Sequence, residues 1–219
     1  MGLGIEKRNQ IARRAARELK NGMIVNLGIG IPTLVADYVP DGIYIVFQAE
    51  NGILGYSQTP PSGEEDPFLC NAGGLPITLA PESSYFDSTV AFGMIRRGLL
   101  DITILGALQV SEQGDLANWI VPGKRVPGMG GAIELAQKAK KVIVTTDHVA
   151  KDGSPKILHR CTYPLTTTKS VDLIITDMAV IEVTGNGLML KEVSEDYSID
   201  DVVKATEAPL IIPDEIGVF

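Results

Sequence analysis

The chain has 219 residues, enough for one large domain with a substantial core or at most two small ones. With 45% hydrophobic and 21% charged residues it belongs among globular proteins, far from the disordered regime. Nineteen Lys and Arg against 27 Asp and Glu give a formal net charge of −8, and no basic stripe offsets it, which argues against a nucleic-acid partner.

Residues 1–4 lead into a charged helix without a long apolar segment or a myristoylation pattern, so neither membrane insertion nor secretion is expected and the cytoplasm is the expected location. Residues 5–20 place Ile11, Ala12, Ala15 and Leu19 on one helical face; Lys7, Arg8, Arg13, Arg14 and Arg17 read as its solvated remainder. Asn21-Gly22 is a stop signal, and residues 23–27 read as a strand. Gly28-Ile29-Gly30-Ile31-Pro32-Thr33 then opens a helix to about Val39. Gly28 and Gly30 allow close backbone approach there, and the unit has the makings of an anion cradle, although it is neither GxGxxG nor a P-loop. The apolar run of residues 43–47 reads as a buried strand that ends at Glu50-Asn51-Gly52, a tight turn.

Residues 56–67, rich in Pro and Gly, read as a surface loop able to cover a site at that turn. Residues 77–79 suggest a short strand. Asp87 or Ser88 is a cap for a helix ended at Gly98, and residues 102–105 form a buried strand. Residues 109–127 read as long and irregular. Gly128-Met129-Gly130-Gly131 precedes a helix over residues 133–139, leaving backbone N–H groups accessible at its positive dipole end. Strands follow at residues 141–145 and 173–176, then a hairpin around Gly185-Asn186-Gly187 and a helix capped by Ser198. With no repeat and no linker, residues 1–219 read as a single α/β domain.

Glu50 stands at the carboxyl end of a strand, where open α/β sheets present reacting groups. From these residues alone, a solvated turn carboxylate and a nucleophile are both open readings. As a nucleophile, a carboxylate needs a dry pocket and preplaced oxyanion donors, for which the Gly130 and Gly131 N–H groups are candidates; tight packing is the other reading of those glycines. His148 and His159 have no zinc spacing and read as structural or surface groups, and no G-x-S-x-G elbow is present. Cys70 and Cys161 read as reduced thiols without an activating context.

Taken together, Asn26-Leu27-Gly28-Ile29-Gly30-Ile31-Pro32-Thr33, Glu50-Asn51-Gly52-Ile53-Leu54-Gly55, Asn71-Ala72-Gly73, Gly114-Asp115-Leu116-Ala117-Asn118-Trp119, Pro122-Gly123-Lys124, Gly128-Met129-Gly130-Gly131-Ala132 and residues 172–180 resemble, in order, the β subunit of the family I CoA-transferases. The resemblance covers about residues 5–207. It implies an open, mostly parallel α/β sheet flanked by helices, of the NagB/RpiA/CoA-transferase-like kind. It also implies a ping-pong reaction in which Glu50 attacks acyl-CoA and becomes a glutamyl-CoA thioester. Gly131, with Gly130, Asn51, Gly28 and Gly30, would make oxyanion and CoA contacts. The acid partner would be a short carboxylic or 3-oxo acid, with a β-amino acid or a purely acyl-CoA-binding role as alternatives. CoA enters as substrate, with no cofactor or metal, and an α subunit is required, in an expected α2β2 assembly. Ala49 stands where the family usually has Ser, leaving its effect on acid preference open.

Overall fold

The computed structural model describes residues 4–123 and 128–219. Lys124 and Pro127 of the glycine-rich motifs, and the N-terminal residues 1–3, lie outside that range. In chain order the elements are α1 (Ile5–Ala16), β1 (Ile24–Leu27), a 3-10 helix (Pro32–Tyr38), β2 (Val46–Ala49), β3 (Ile53–Tyr56) and β4 (Leu79–Tyr85). Then come α2 (Ser88–Arg96), β5 (Ile102–Gly106), β6 (Gln109–Ser111), β7 (Leu116–Ala117), α3 (Ala132–Lys138), β8 (Lys141–Thr145) and β9 (Ile157–Leu158). The chain closes with β10 (Leu173–Ile175), β11 (Ala179–Thr184), β12 (Gly187–Val193), α4 (Ile199–Ala205), β13 (Leu210–Ile211) and β14 (Gly217–Val218).

One sheet runs β13-β12-β11-β10-β8-β5-β1-β2-β3-β4, with β14 also paired to β12. Its centre, β10 to β2, is parallel throughout, and antiparallel pairs flank it on both sides. This is the expected open, mostly parallel α/β sheet. The central strands are nearly all apolar because helices cover both faces. Alternation along β8 shows the division: Ile143 packs with Ile11, Ala15 and Val35 on the face of α1 and the 3-10 helix, whereas Val142 and Val144 pack with Ile95 and Leu135 of α2 and α3. From β1 the chain first adds β2 on one side and later β5 on the other, so β1 marks the switch in winding direction, where such sheets open a crevice at their carboxyl ends.

Several expectations are corrected. Arg14 is not on the solvated face of α1. It is buried, with Nε and Nη2 each donating to Glu192 at 2.6 Å and Nη1 to Glu18 at 2.9 Å, which ties α1 to β12. β2 begins at Val46 rather than at residue 43, because Ile43 follows a turn closed by its N–H on the Pro40 carbonyl. The strand expected at 77–79 lies further on: β4 runs Leu79–Tyr85 and shares only Leu79 with it, as a largely exposed edge strand. Residues 109–127 are not irregular throughout: β6, β7 and β9 form a small second sheet. The helix after Gly28-Ile29-Gly30 is a seven-residue 3-10 helix. Among the described residues no helix is long and apolar enough to cross a membrane.

Candidate active site

The carboxyl ends of β1, β2 and β5 and the glycine-rich run before α3 enclose a cavity of about 760 Å³. Its walls include Gly28 and Ile29 after β1, Glu50 after β2, Gly106 and Ala107 at the end of β5, Asn118 beyond β7, and residues 128–132. Glu50 is the first residue past β2, and the chain reverses at once, with the Gly52 N–H donating to the Ala49 carbonyl at 3.1 Å. Of the Asn51-Gly52 pair only the glycine takes a positive φ, +112°, and a Cβ there would stand 1.9 Å from the Phe86 carbonyl oxygen. Glycine is therefore required for the turn that presents the carboxylate.

The half-buried Glu50 carboxylate has two distinct oxygens. Oε2 accepts from the Asn26 side-chain amide at 3.1 Å, and Oε1 lies 3.1 Å from where a Gly131 Cβ would be. Gly131 precedes the first turn of α3 with φ −80° and ψ −2°. Among the described residues neither the Gly130 nor the Gly131 N–H has a hydrogen-bond acceptor. The carboxylate and the Gly130-Gly131 backbone therefore line one cavity, whose wall also carries the apolar Leu27, Leu105 and Leu135.

The other expected site residues divide. Asn51 lines the cavity, but its side-chain amide donates to the Cys70 carbonyl at 2.8 Å, tethering the loop that brings Ala72 to the wall. Gly28 is a wall residue whose N–H is spent in the sheet on the Ile104 carbonyl at 2.8 Å, and a Cβ would crowd that same oxygen at 3.2 Å. Close strand packing, not an anion cradle, explains the glycine. Gly30, with φ +97°, is not among the lining residues. The 56–67 loop does not cover the cavity either. Thr59 holds the Asp37 carboxylate at 2.8 and 3.1 Å, drawing the loop toward the 3-10 helix.

The structure adds Asn26, Asn118 and Ile29 to the surroundings of the site. Asn118 is clamped at the wall, donating to the Gly106 carbonyl at 3.1 Å and accepting from Thr166 at 2.7 Å. Ile29 is 71% exposed at the wall, an apolar side chain without cover. The signal for Asn26 was an amide inside an apolar strand, between Val25 and Leu27.

His148 and Cys161 lie outside the cavity wall. His148 is fully buried between the Thr176 and Thr206 hydroxyls, at 2.8 and 2.9 Å, and burial pushes its pKa down to about 4, so the ring is neutral near pH 7. Burial, with help from Asp115, pushes the Cys161 thiol up to about 11, leaving it a poor nucleophile. Among the described residues no cluster of His, Cys, Asp and Glu has the makings of a metal site.

Comparison with known proteins identifies the family. The coenzyme A transferase family model matches residues 8–205. A probable coenzyme A transferase subunit beta of Bacillus subtilis is 58% identical over 97% of this chain and 98% of that protein. The acetate CoA-transferase subunit beta of Escherichia coli is 48% identical over 93% of each. A rat mitochondrial succinyl-CoA:3-ketoacid coenzyme A transferase is 50% identical over 91% of this chain, which spans 39% of that longer protein. In fold, an acyl-CoA transferase of E. coli O157:H7, solved as a thioester complex with CoA, superposes with a TM-score of 0.74 at 22% identity, over 97% of this chain and 43% of that one. The decarboxylase AibA/AibB superposes almost as well, at 0.72 and 19% identity over 98% of this chain and 89% of that one, so the fold alone does not select a reaction. The sequence matches do: this chain belongs to the coenzyme A transferase family, as a β subunit of the family I kind.

Proposed function

We propose that the chain, joined to an α subunit, transfers CoA from an acyl-CoA to a short carboxylic or 3-oxo acid with Glu50 as nucleophile. A Glu50 carboxylate oxygen attacks the thioester carbonyl, and the tetrahedral oxyanion is held by the Gly131 N–H, seconded by that of Gly130. Collapse expels CoA thiolate and leaves an acyl-glutamyl anhydride. The thiolate then attacks the glutamyl carbonyl, releasing the first acid as its carboxylate and forming a glutamyl-CoA thioester. The second acid enters by the reverse steps, so atoms and charge balance and CoA is the group carried. The observation that carries this reading is the Glu50 carboxylate set against the Gly131 backbone at the apolar cavity. Gly28 and Asn51 shape the wall, and Gly30 is kept only as a turn residue.

Short acids are favoured because relatives at 46–50% identity are named for acetate or for succinyl-CoA and 3-ketoacids. The uncovered Ile29 at the wall suits closure by the α subunit, in an α2β2 assembly. A non-catalytic acyl-CoA-binding role had only Ala49 in its favour, and Ala49 is buried in the core with Phe47 and Ile53. The test is to incubate the reconstituted complex with acyl-CoA and map the CoA adduct by peptide mass. An adduct on the Glu50 peptide, with no turnover by Glu50→Ala, supports the proposal. Full turnover by that variant would sink it.

A further inference from the structure

We infer that Gln48 and Thr103 are positioning residues for Glu50, acting through Asn26 along a buried polar row that crosses three strands. The inference rests on the reading of Glu50 as nucleophile. Asn26 of β1 stands opposite Gln48 of β2 and Thr103 of β5, so all three side chains share one sheet face. Each is fully buried. Polar groups in such a place are costly unless bonded, and they bond to one another.

The bonds have a direction. The Ala91 carbonyl of α2 can only accept, and the Gln48 amide donates to it at 3.4 Å, the longest link. That turns Gln48 Oε1 toward Asn26, whose Nδ2 donates to it at 2.9 Å and also faces the Gln48 carbonyl at 3.1 Å. From the other side the Thr103 hydroxyl donates to Asn26 Oδ1 at 3.3 Å. Reversing the Asn26 amide would set its oxygen against three acceptors, Gln48 Oε1, the Gln48 carbonyl and Glu50 Oε2, so only one orientation is satisfied. Held from both neighbouring strands, Asn26 presents its N–H to Glu50 Oε2 at 3.1 Å.

The row thereby distinguishes the two carboxylate oxygens. Oε2 is engaged, and Oε1, beside Gly131, is the oxygen left to attack. Neither Gln48 nor Thr103 lines the cavity, so their effect is on the aim of the nucleophile and not on substrate binding.

The experiment uses the reconstituted complex with acyl-CoA, measuring the single-turnover rate of the CoA adduct on Glu50, the KM for acyl-CoA and the melting temperature. Misfolded material lowers the amplitude of the adduct, not its rate. Gln48→Met and Thr103→Val are expected to slow adduct formation by about tenfold with KM within about twofold, and Thr103→Ser, which keeps the hydroxyl, to restore the rate. Wild-type rates in both Gln48→Met and Thr103→Val, or equal slowing by Thr103→Ser and Thr103→Val, would overturn the inference while an inert Glu50→Ala upholds the nucleophile. An unchanged adduct in Glu50→Ala removes the nucleophile reading itself, and this inference with it.

Discussion

Gly131 and Glu50 compete for one space: a Cβ at position 131 would meet Glu50 Oε1 at 3.1 Å and the Phe92 ring at 3.3 Å. The backbone of Gly131, at φ −80°, is open to any residue, so the glycine is required by its neighbours and not by its own conformation. Gly131→Ala is therefore expected to fold normally and to displace the carboxylate. Turnover should fall about tenfold, since a 3.1 Å contact obliges the carboxylate to give way by a few tenths of an ångström, less than the misplacement of about 1 Å that costs about 100-fold. Steady-state kinetics beside a thermal melt will check this, and parallel losses in the two would point to packing instead.

Ala49 is 2% exposed and packs in the core with Phe47 and Ile53, whereas Gln48 and Glu50 on either side of it lie on the other face of β2. Restoring a serine there would bury a hydroxyl away from the cavity. Ala49→Ser is expected to leave the ranking of acid substrates unchanged and to cost about 1 kcal/mol of stability. A substrate-pair screen that reorders the acids would refute this.

His148 links stability to pH. Its pKa of about 4 in the folded chain lies below the ordinary value of 6.5, so on acidification the unfolded chain takes up the proton first. The stability that neutral His148 contributes is complete above pH 6.5 and is lost as pH falls from there to about 4, by about 3 kcal/mol in all. Denaturant midpoints at pH 7 and pH 5 should differ less in His148→Gln than in the parent.

Arg14 supports α1 and not the chemistry. Burial opposes charge on both Arg14 and Glu18, yet the hydrogen bonds they share, with Glu192 and Lys141, win and hold the Glu18 carboxyl below its usual range. That stabilisation is present above the ordinary carboxylate pKa and is lost as pH falls through the lowered one. Arg14→Met would strand the half-buried Glu192 carboxylate, while Glu18 keeps Lys141 at 2.8 Å, at a cost of about 2 kcal/mol. Chemical denaturation should report that loss, while activity per folded molecule is retained.

Local signals were legible where the physics is local. Asp87 caps α2 by accepting from the Val90 N–H, Ser198 and Asp201 close a capping box, and the β11–β12 hairpin turns at its glycines. β4 carries no alternating signal, because Leu79 to Tyr85 has no buried position on either face, and the strands of the small sheet are only two or three residues long. At the site, Glu50 and Gly131 could be picked out as residue types, but their pairing joins positions 81 residues apart (131 − 50) and exists only once β2 and α3 meet. Asn26 was hidden for the opposite reason. Its role depends on strand register, which sets Gln48 and Thr103 beside it, and no spacing in the chain encodes that.

The clamp at Gly52 has a mechanical consequence. The Phe86 N–H donates to the Gly52 carbonyl at 3.0 Å, while the absent Cβ of Gly52 lets the Phe86 carbonyl lie against it. Phe86 adjoins Asp87, the cap of α2, and α2 carries the Ala91 carbonyl that Gln48 meets. The turn bearing the carboxylate and the helix beside it are riveted into one piece, so the Glu50 carboxylate is held in place by the subunit's own fold. On the proposed function, discrimination among acids would then fall to the surface that closes over the exposed Ile29, and the same piece would serve different acids when that surface changes.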